Sequence, residues 1–145
     1  MKSEVETTRF GRIEIDDDRV LHFPKGLIGL ERLKRFALLD STRGDSIQWL
    51  QSLDEPAMAF LVSEPKKTFP FIEITLPSPQ QVQSLFDKTK LDELKLLTIL
   101  HVNHEEKRLH VNIQAPLLIN PLTQKGVQVI TDSSCPTVAL PLKGA

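Results

Sequence analysis

The residues best equipped for chemistry are few and scattered along the chain. His101-Val102-Asn103-His104 resembles a metal-binding stretch, because imidazole nitrogens are frequent ligands of zinc and copper. A hairpin turning through residues 104–107 would also set His101 opposite His110. Zinc wants four ligands, or three and a water, and no Cys, Asp or Glu is spaced to complete such a set, so no metal is expected. Cys135, the single cysteine, lies beside Pro136 and near Asp132, with no cation or histidine close in sequence to lower its pKa; it reads as a bystander thiol. Gly26 and Gly29 leave a short Gly-x-x-Gly, without the Lys-Ser/Thr of a P-loop or the strand-to-helix setting of a dinucleotide site. Arg43-Gly44-Asp45 matches an adhesion tripeptide, but a glycine between polar residues is ordinary loop material. Asp16, Asp17 and Asp18 fall in a turn, with no second acid marked as their partner and no nucleophile elbow or triad order elsewhere. The expectation is a non-enzyme with no catalytic residues and no cofactor.

Bulk properties point the same way. Lys and Arg total 18 against 19 Asp and Glu, a net charge of -1 that offers a phosphate backbone no surplus of cations. Direct binding of nucleic acid is therefore not expected. One cysteine excludes an internal disulfide, and residues 1–10 are too polar for a secretory signal. No apolar run approaches the roughly 20 residues that cross a bilayer, so the reading is a cytoplasmic protein without a membrane partner.

These residues must be positioned by many short strands. Ten prolines and six glycines punctuate brief apolar runs, within a length of 145 residues that suits one domain over 1–145. Its ends, 1–7 and 132–145, are expected to be less ordered. Residues 8–15 read as a strand with a bulge at Gly11, because Phe10 is out of phase with Ile13 and Ile15. Pro24-Lys25-Gly26 supplies a tight corner, and strands are expected at 20–23, 36–39, 47–52, 57–63 and 71–76. Ser78 is a suitable cap and Pro79 a suitable first residue for one helix, with Val82, Leu85 and Phe86 on one face. Residues 96–103 and 109–114 form a hairpin in which Leu100 faces Val111 and Val102 faces Leu109. A strand at 117–120 is expected on an edge, and another begins at Lys125-Gly126. The fold class is mostly β, with eight or nine strands in a small closed or nearly closed antiparallel β-barrel-like domain and one short helix that plugs or flanks it.

Trp49, the only tryptophan, serves equally well as a core anchor or an interface anchor, and alternation alone does not say which face of its strand is buried.

Several phrases are more particular than generic β-sequence: Thr8-Arg9-Phe10-Gly11-Arg12-Ile13, Phe23-Pro24-Lys25-Gly26-Leu27-Ile28-Gly29-Leu30-Glu31 and Trp49-Leu50-Gln51-Ser52-Leu53-Asp54-Glu55-Pro56, followed by Ala59-Phe60. Asn112-Ile113-Gln114-Ala115-Pro116-Leu117-Leu118-Ile119-Asn120 and Lys125-Gly126-Val127-Gln128-Val129 complete the set. In this order and spacing, over about residues 8–131, the chain resembles the flagellar assembly factor FliW family. The resemblance implies a chaperone-like protein of flagellum biogenesis with two partners, flagellin and the translational regulator CsrA. It implies partner switching, in which the factor, once freed of flagellin, antagonises CsrA and relieves repression of flagellin mRNA. Contact residues are expected at Leu27, Ile28, Leu30, Gln48, Trp49, Leu50, Gln51 and Asp54, with Asp16, Asp17 and Asp18 repelling RNA from CsrA. The competing expectation is a small barrel that binds a small molecule such as a flavin.

Overall fold

The computed structural model describes residues 2–41, 47–86, 91–131 and 136–141. Expectations resting on Arg43-Gly44-Asp45, Asp132 and Cys135, and on the Leu85 side chain, lie outside the described parts.

The first two strands, β1 (Lys2–Thr7) and β2 (Gly11–Asp16), form a hairpin of their own. Residues 2–7 are paired along their length, from Lys2 opposite Asp16 to Thr7 opposite Gly11. The expected bulge is a turn. Thr7 accepts a hydrogen bond from the Phe10 N–H at 2.8 Å and donates to the Gly11 carbonyl at 2.9 Å, while Gly11 takes φ +68, a region open to glycine. Phe10 is out of phase because it belongs to this turn.

Nine further strands form one sheet: β3 (Val20–His22), β4 (Arg35–Asp40), β5 (Ile47–Ser52), β6 (Ala59–Ser63), β7 (Lys95–Asn103), β8 (Arg108–Asn112), β9 (Leu117–Asn120), β10 (Lys125–Gln128) and β11 (Thr137–Pro141). Its order is β11-β8-β7-β6-β5-β4-β3-β10-β9, and β9 pairs back onto β7. Seven strands therefore close into a barrel, with β8 and β11 as a flap. Closure depends on β7 being long: Lys95 to Leu97 pair with β9, and Leu100 to Asn103 pair with β8 in the expected register. The strand expected on an edge, β9, is thus paired on both sides. The seam between β3 and β10 is slight, a parallel pairing of Lys125 with His22 plus a hydrogen bond from the His22 N–H to the Gln124 carbonyl.

Three apolar layers hold this arrangement. Inside the barrel Leu21, Phe23, Phe36, Leu50, Val62 and Leu97 are almost wholly removed from water, each stabilising by roughly 1.5–3 kcal/mol. Phe23 meets Phe36 edge-on at 5.3 Å and lies so close to β10 that a Cβ on Gly126 would fall 2.6 Å from its ring. A second layer covers the outer face of β5 to β8, where Leu61, Leu100 and Val111 pack with Phe69, Ile72 and Ile74. A third lies under the helix that Pro79 opens.

Among the described residues two short α-helices connect the strands, α1 (Pro65–Thr68) and α2 (Pro79–Leu85). The second begins as read from sequence: Pro79 opens it and Ser78 Oγ accepts from the Gln81 N–H at 3.1 Å. It flanks the barrel, laying Val82 and Phe86 against Leu118 and Val129. Residues 71–76, expected as a strand, join no sheet; they lie extended over the second layer with Ile72 and Ile74 turned inward.

Candidate functional site

The barrel is plugged at one end by residues 24–33. Pro24 and Gly26 turn the chain, and Gly26 must be glycine: its φ is +67, and a Cβ there would stand 2.5 Å from the Glu31 carbonyl oxygen. Leu27 and Leu30 then pair across a tight turn whose tip is Ile28 and Gly29, with Gly29 at φ +82. Leu27 and Leu33 point into the core, and Leu30 packs on it. Ile28 is left 53% exposed at the tip. Its N–H donates to Gln128 Oε1 at 2.8 Å, while Gln128 Nε2 donates to the Ala115 carbonyl at 3.1 Å. One β10 amide thus fixes the tip. Between tip and strand runs a groove of about 410 Å³ lined by Lys25, Ile28, Gln81, Val127 and Ile130, the last 59% exposed.

A second surface surrounds Trp49. Both faces of β5 are packed: Leu50 points into the barrel, and Trp49 turns outward into the second layer. The β1–β2 turn closes over the indole, with Phe10 edge-on at 5.8 Å and the Arg9 guanidinium carbon 4.3 Å from the ring centroid. The hairpin is anchored there by the Thr8 N–H, which donates to the Pro56 carbonyl at 3.0 Å. Gln48 sits half-buried on the same strand and donates to Asp40 at 3.3 Å. Gln51 is wholly buried and spends its amide N–H groups on the carbonyls of Ser52, Pro56 and Met58.

Asp54 anchors the turn between β5 and β6. Its carboxylate accepts from the N–H groups of Lys34 and Arg35 at 2.8 and 2.9 Å and pairs with Arg35 Nε at 3.1 Å. Burial pushes its pKa up, but those backbone and guanidinium donors outweigh burial and hold it below the usual carboxylate range. Arg32 and Glu55 form an ion pair on the same turn.

The acidic turn lies at the far end of β3. Asp16 Oδ1 caps the Asp18 N–H at 3.2 Å, Asp17 accepts from Ser3 Oγ at 2.9 Å, and the Asp18 carbonyl accepts from Gln124 Nε2 at 2.8 Å. Asp17 and Asp18 are exposed. His101 does lie opposite His110, with ring centroids 6.3 Å apart and Glu106 3.8 Å from His110 Nε2. Among the described residues no group of three or more His, Cys, Asp or Glu is gathered closely enough to hold a metal ion. Among the described residues no helix is long and apolar enough to cross a membrane.

The structure therefore divides the expected contact residues. Leu27, Leu50 and Gln51 are interior and offer no surface in this conformation, a correction with a simple cause: the phrases that contain them also build the plug and the barrel wall. Ile28, Gln48, Trp49 and Asp54 reach the surface to different degrees, in two separate places. Sequence reasoning missed Ile130 and Gln128, which complete the groove, and Arg9 and Phe10, which cover the indole. The signal for the last two was an aromatic and a cation side by side in a turn.

Comparison with known proteins places these features in context. A family model described as FliW protein matches residues 4–142. The flagellar assembly factor FliW of Lachnospira eligens is 32% identical over 96% of this chain and 93% of its own length. The flagellar assembly factor FliW 2 of Desulfotalea psychrophila is 34% identical over 85% of this chain and 80% of that protein. A crystal structure of the flagellar assembly factor FliW superposes with a TM-score of 0.79 at 29% identity, covering 96% of both chains.

Proposed function

The chain belongs to the FliW family of flagellar assembly factors, and from that premise we propose that it is a cytoplasmic partner switch that binds flagellin and the regulator CsrA in turn. When flagellin leaves the cell, the freed factor takes CsrA and relieves repression of flagellin mRNA. The observation that supports binding over catalysis is the apolar groove at the plugged end, where Ile28 and Ile130 stand more than half exposed on a surface fixed by Gln128. Exposed aliphatic side chains on a preorganised turn are anchors for a protein, because little ordering entropy remains to be lost on docking.

Switching requires the two partners to exclude each other, most simply by sharing one surface. Coupling between partners is reciprocal however it arises. Titrating flagellin into a preformed complex with CsrA is expected to eject CsrA, and a stable ternary complex on a sizing column would contradict the proposal. Asp16, Asp17 and Asp18 act in it by repelling RNA held by CsrA. Because Asp16 also caps its own turn, Asp17→Asn with Asp18→Asn is the cleaner variant. It is expected to bind CsrA normally while releasing less RNA.

A further inference from the structure

Residues 73–76 carry a strand-forming sequence without a strand to pair with. The run Phe71-Ile72-Glu73-Ile74-Thr75-Leu76 alternates in burial as a strand does: Ile72 and Ile74 are half-buried against the second layer, while Phe71, Glu73 and Thr75 face outward. Yet the last hydrogen bond along it is from the Ile72 N–H to the Phe69 carbonyl. Among the described residues, no backbone or side-chain group hydrogen-bonds to Glu73, Ile74, Thr75 or Leu76. Elsewhere the β-rich runs of this chain are built into a ladder. A local preference that the fold leaves unsatisfied is a mark of a functional element.

Its surroundings restrict what could satisfy it. Beside it lies a groove of about 260 Å³ lined by Pro65, Lys66, Ile74, Leu76 and Leu96. Phe71 is 70% and Leu76 43% exposed. Lys66 lines this groove without an ion-pair partner among the described residues, whereas the neighbouring Lys67 and Lys95 both pair with Glu64; Glu73, also without an ion-pair partner there, faces outward between Ile72 and Ile74. Unpaired backbone beside an apolar groove, with a free acid on the run itself, complements one kind of ligand: an extended peptide that alternates apolar residues and carries a cation.

We propose that residues 73–76 are a docking strand, to which a partner protein adds an extended segment by main-chain pairing, with alternate apolar side chains toward Leu76 and the groove and a cation facing Glu73. The surface is separate from the groove at Ile28, and the inference does not depend on which partner brings the segment. Main-chain pairing supplies affinity in such a contact, and the charges and the groove select the sequence.

The test uses the full chain labelled with ¹⁵N and a blocked hexapeptide, acetyl-Val-Thr-Val-Lys-Val-Thr-amide, beside its fully N-methylated copy. The expected result is saturable movement and slowed exchange of the amides of residues 73–76 with the first peptide, and at least tenfold weaker binding by the second, which cannot donate. Absence of a saturable change at those amides, or equal binding by both peptides, would overturn the proposal. Protection of the same amides in a dimer of the chain alone would name a second copy as the occupant and overturn the assignment to a partner protein. Because the peptide replaces flagellin and CsrA, failure of the partner switch leaves this readout intact.

Discussion

Asp54 and Gly26 do their work through single groups of atoms. With its pKa depressed in the folded state, Asp54 contributes stability that is fully present above the unfolded value of about 3.9 and is lost as pH falls through the lower folded value. Asp54→Asn is expected to lower Tm by several degrees at pH 7 and by less near about pH 3, below the ordinary carboxylate value, where the native carboxyl begins to gain its proton. Equal losses in thermal scans at both pH values would mean that shape, not charge, matters there. Gly26→Ala is expected to cost about 2–3 kcal/mol, since it joins a positive φ to a collision with the Glu31 backbone that no side chain can relieve. Chemical denaturation would read this as a lower midpoint with an unchanged slope. The need for glycine at position 26 was legible in the sequence, because Pro-Lys-Gly demands a turn. The role of Asp54 was not, since its partners lie about twenty residues away in sequence and meet it only in the fold.

Whole elements differ in how openly they declare themselves. The hairpin β7–β8 was readable down to its register, because one of its faces is apolar and packed and a slip of one residue would turn that face to water. The strand β5 was readable as a strand but not in orientation, because both of its faces are covered and alternation then carries no information. Residues 71–76 show the opposite failure: propensity describes a backbone shape and cannot name a neighbour for it. The β1–β2 hairpin offers a direct experiment, as Trp49 is the only tryptophan and Phe10 lies across it. Phe10→Ala is expected to shift indole emission to longer wavelength through added water while lowering Tm by only a few degrees. An unshifted spectrum would mean that the turn does not shield the ring.

At the scale of the molecule, the barrel is strong around most of its circumference and thin at one line. Between β4 and β5 five residue pairs are in register, whereas β3 meets β10 through Lys125 and His22. Local opening follows the local density of bonds and burial. Hydrogen exchange is therefore expected to be faster at the His22 amide than at those of Leu38 and Leu50, and the reverse order would place the weak line elsewhere. A barrel was legible from the number and spacing of short strands. Where it closes was not, because the closing contact depends on β7 serving two neighbours along one edge, which no local pattern records.

The flap has a further consequence for the life of the protein in a cell. Strand β11 is the outer rim of the main sheet, and its Val138 and Leu140 help to roof Val111. Should proteolytic clipping remove it, β8 would be left as a raw, sticky border beside wetted aliphatic residues, the kind of template on which chains stack into aggregates.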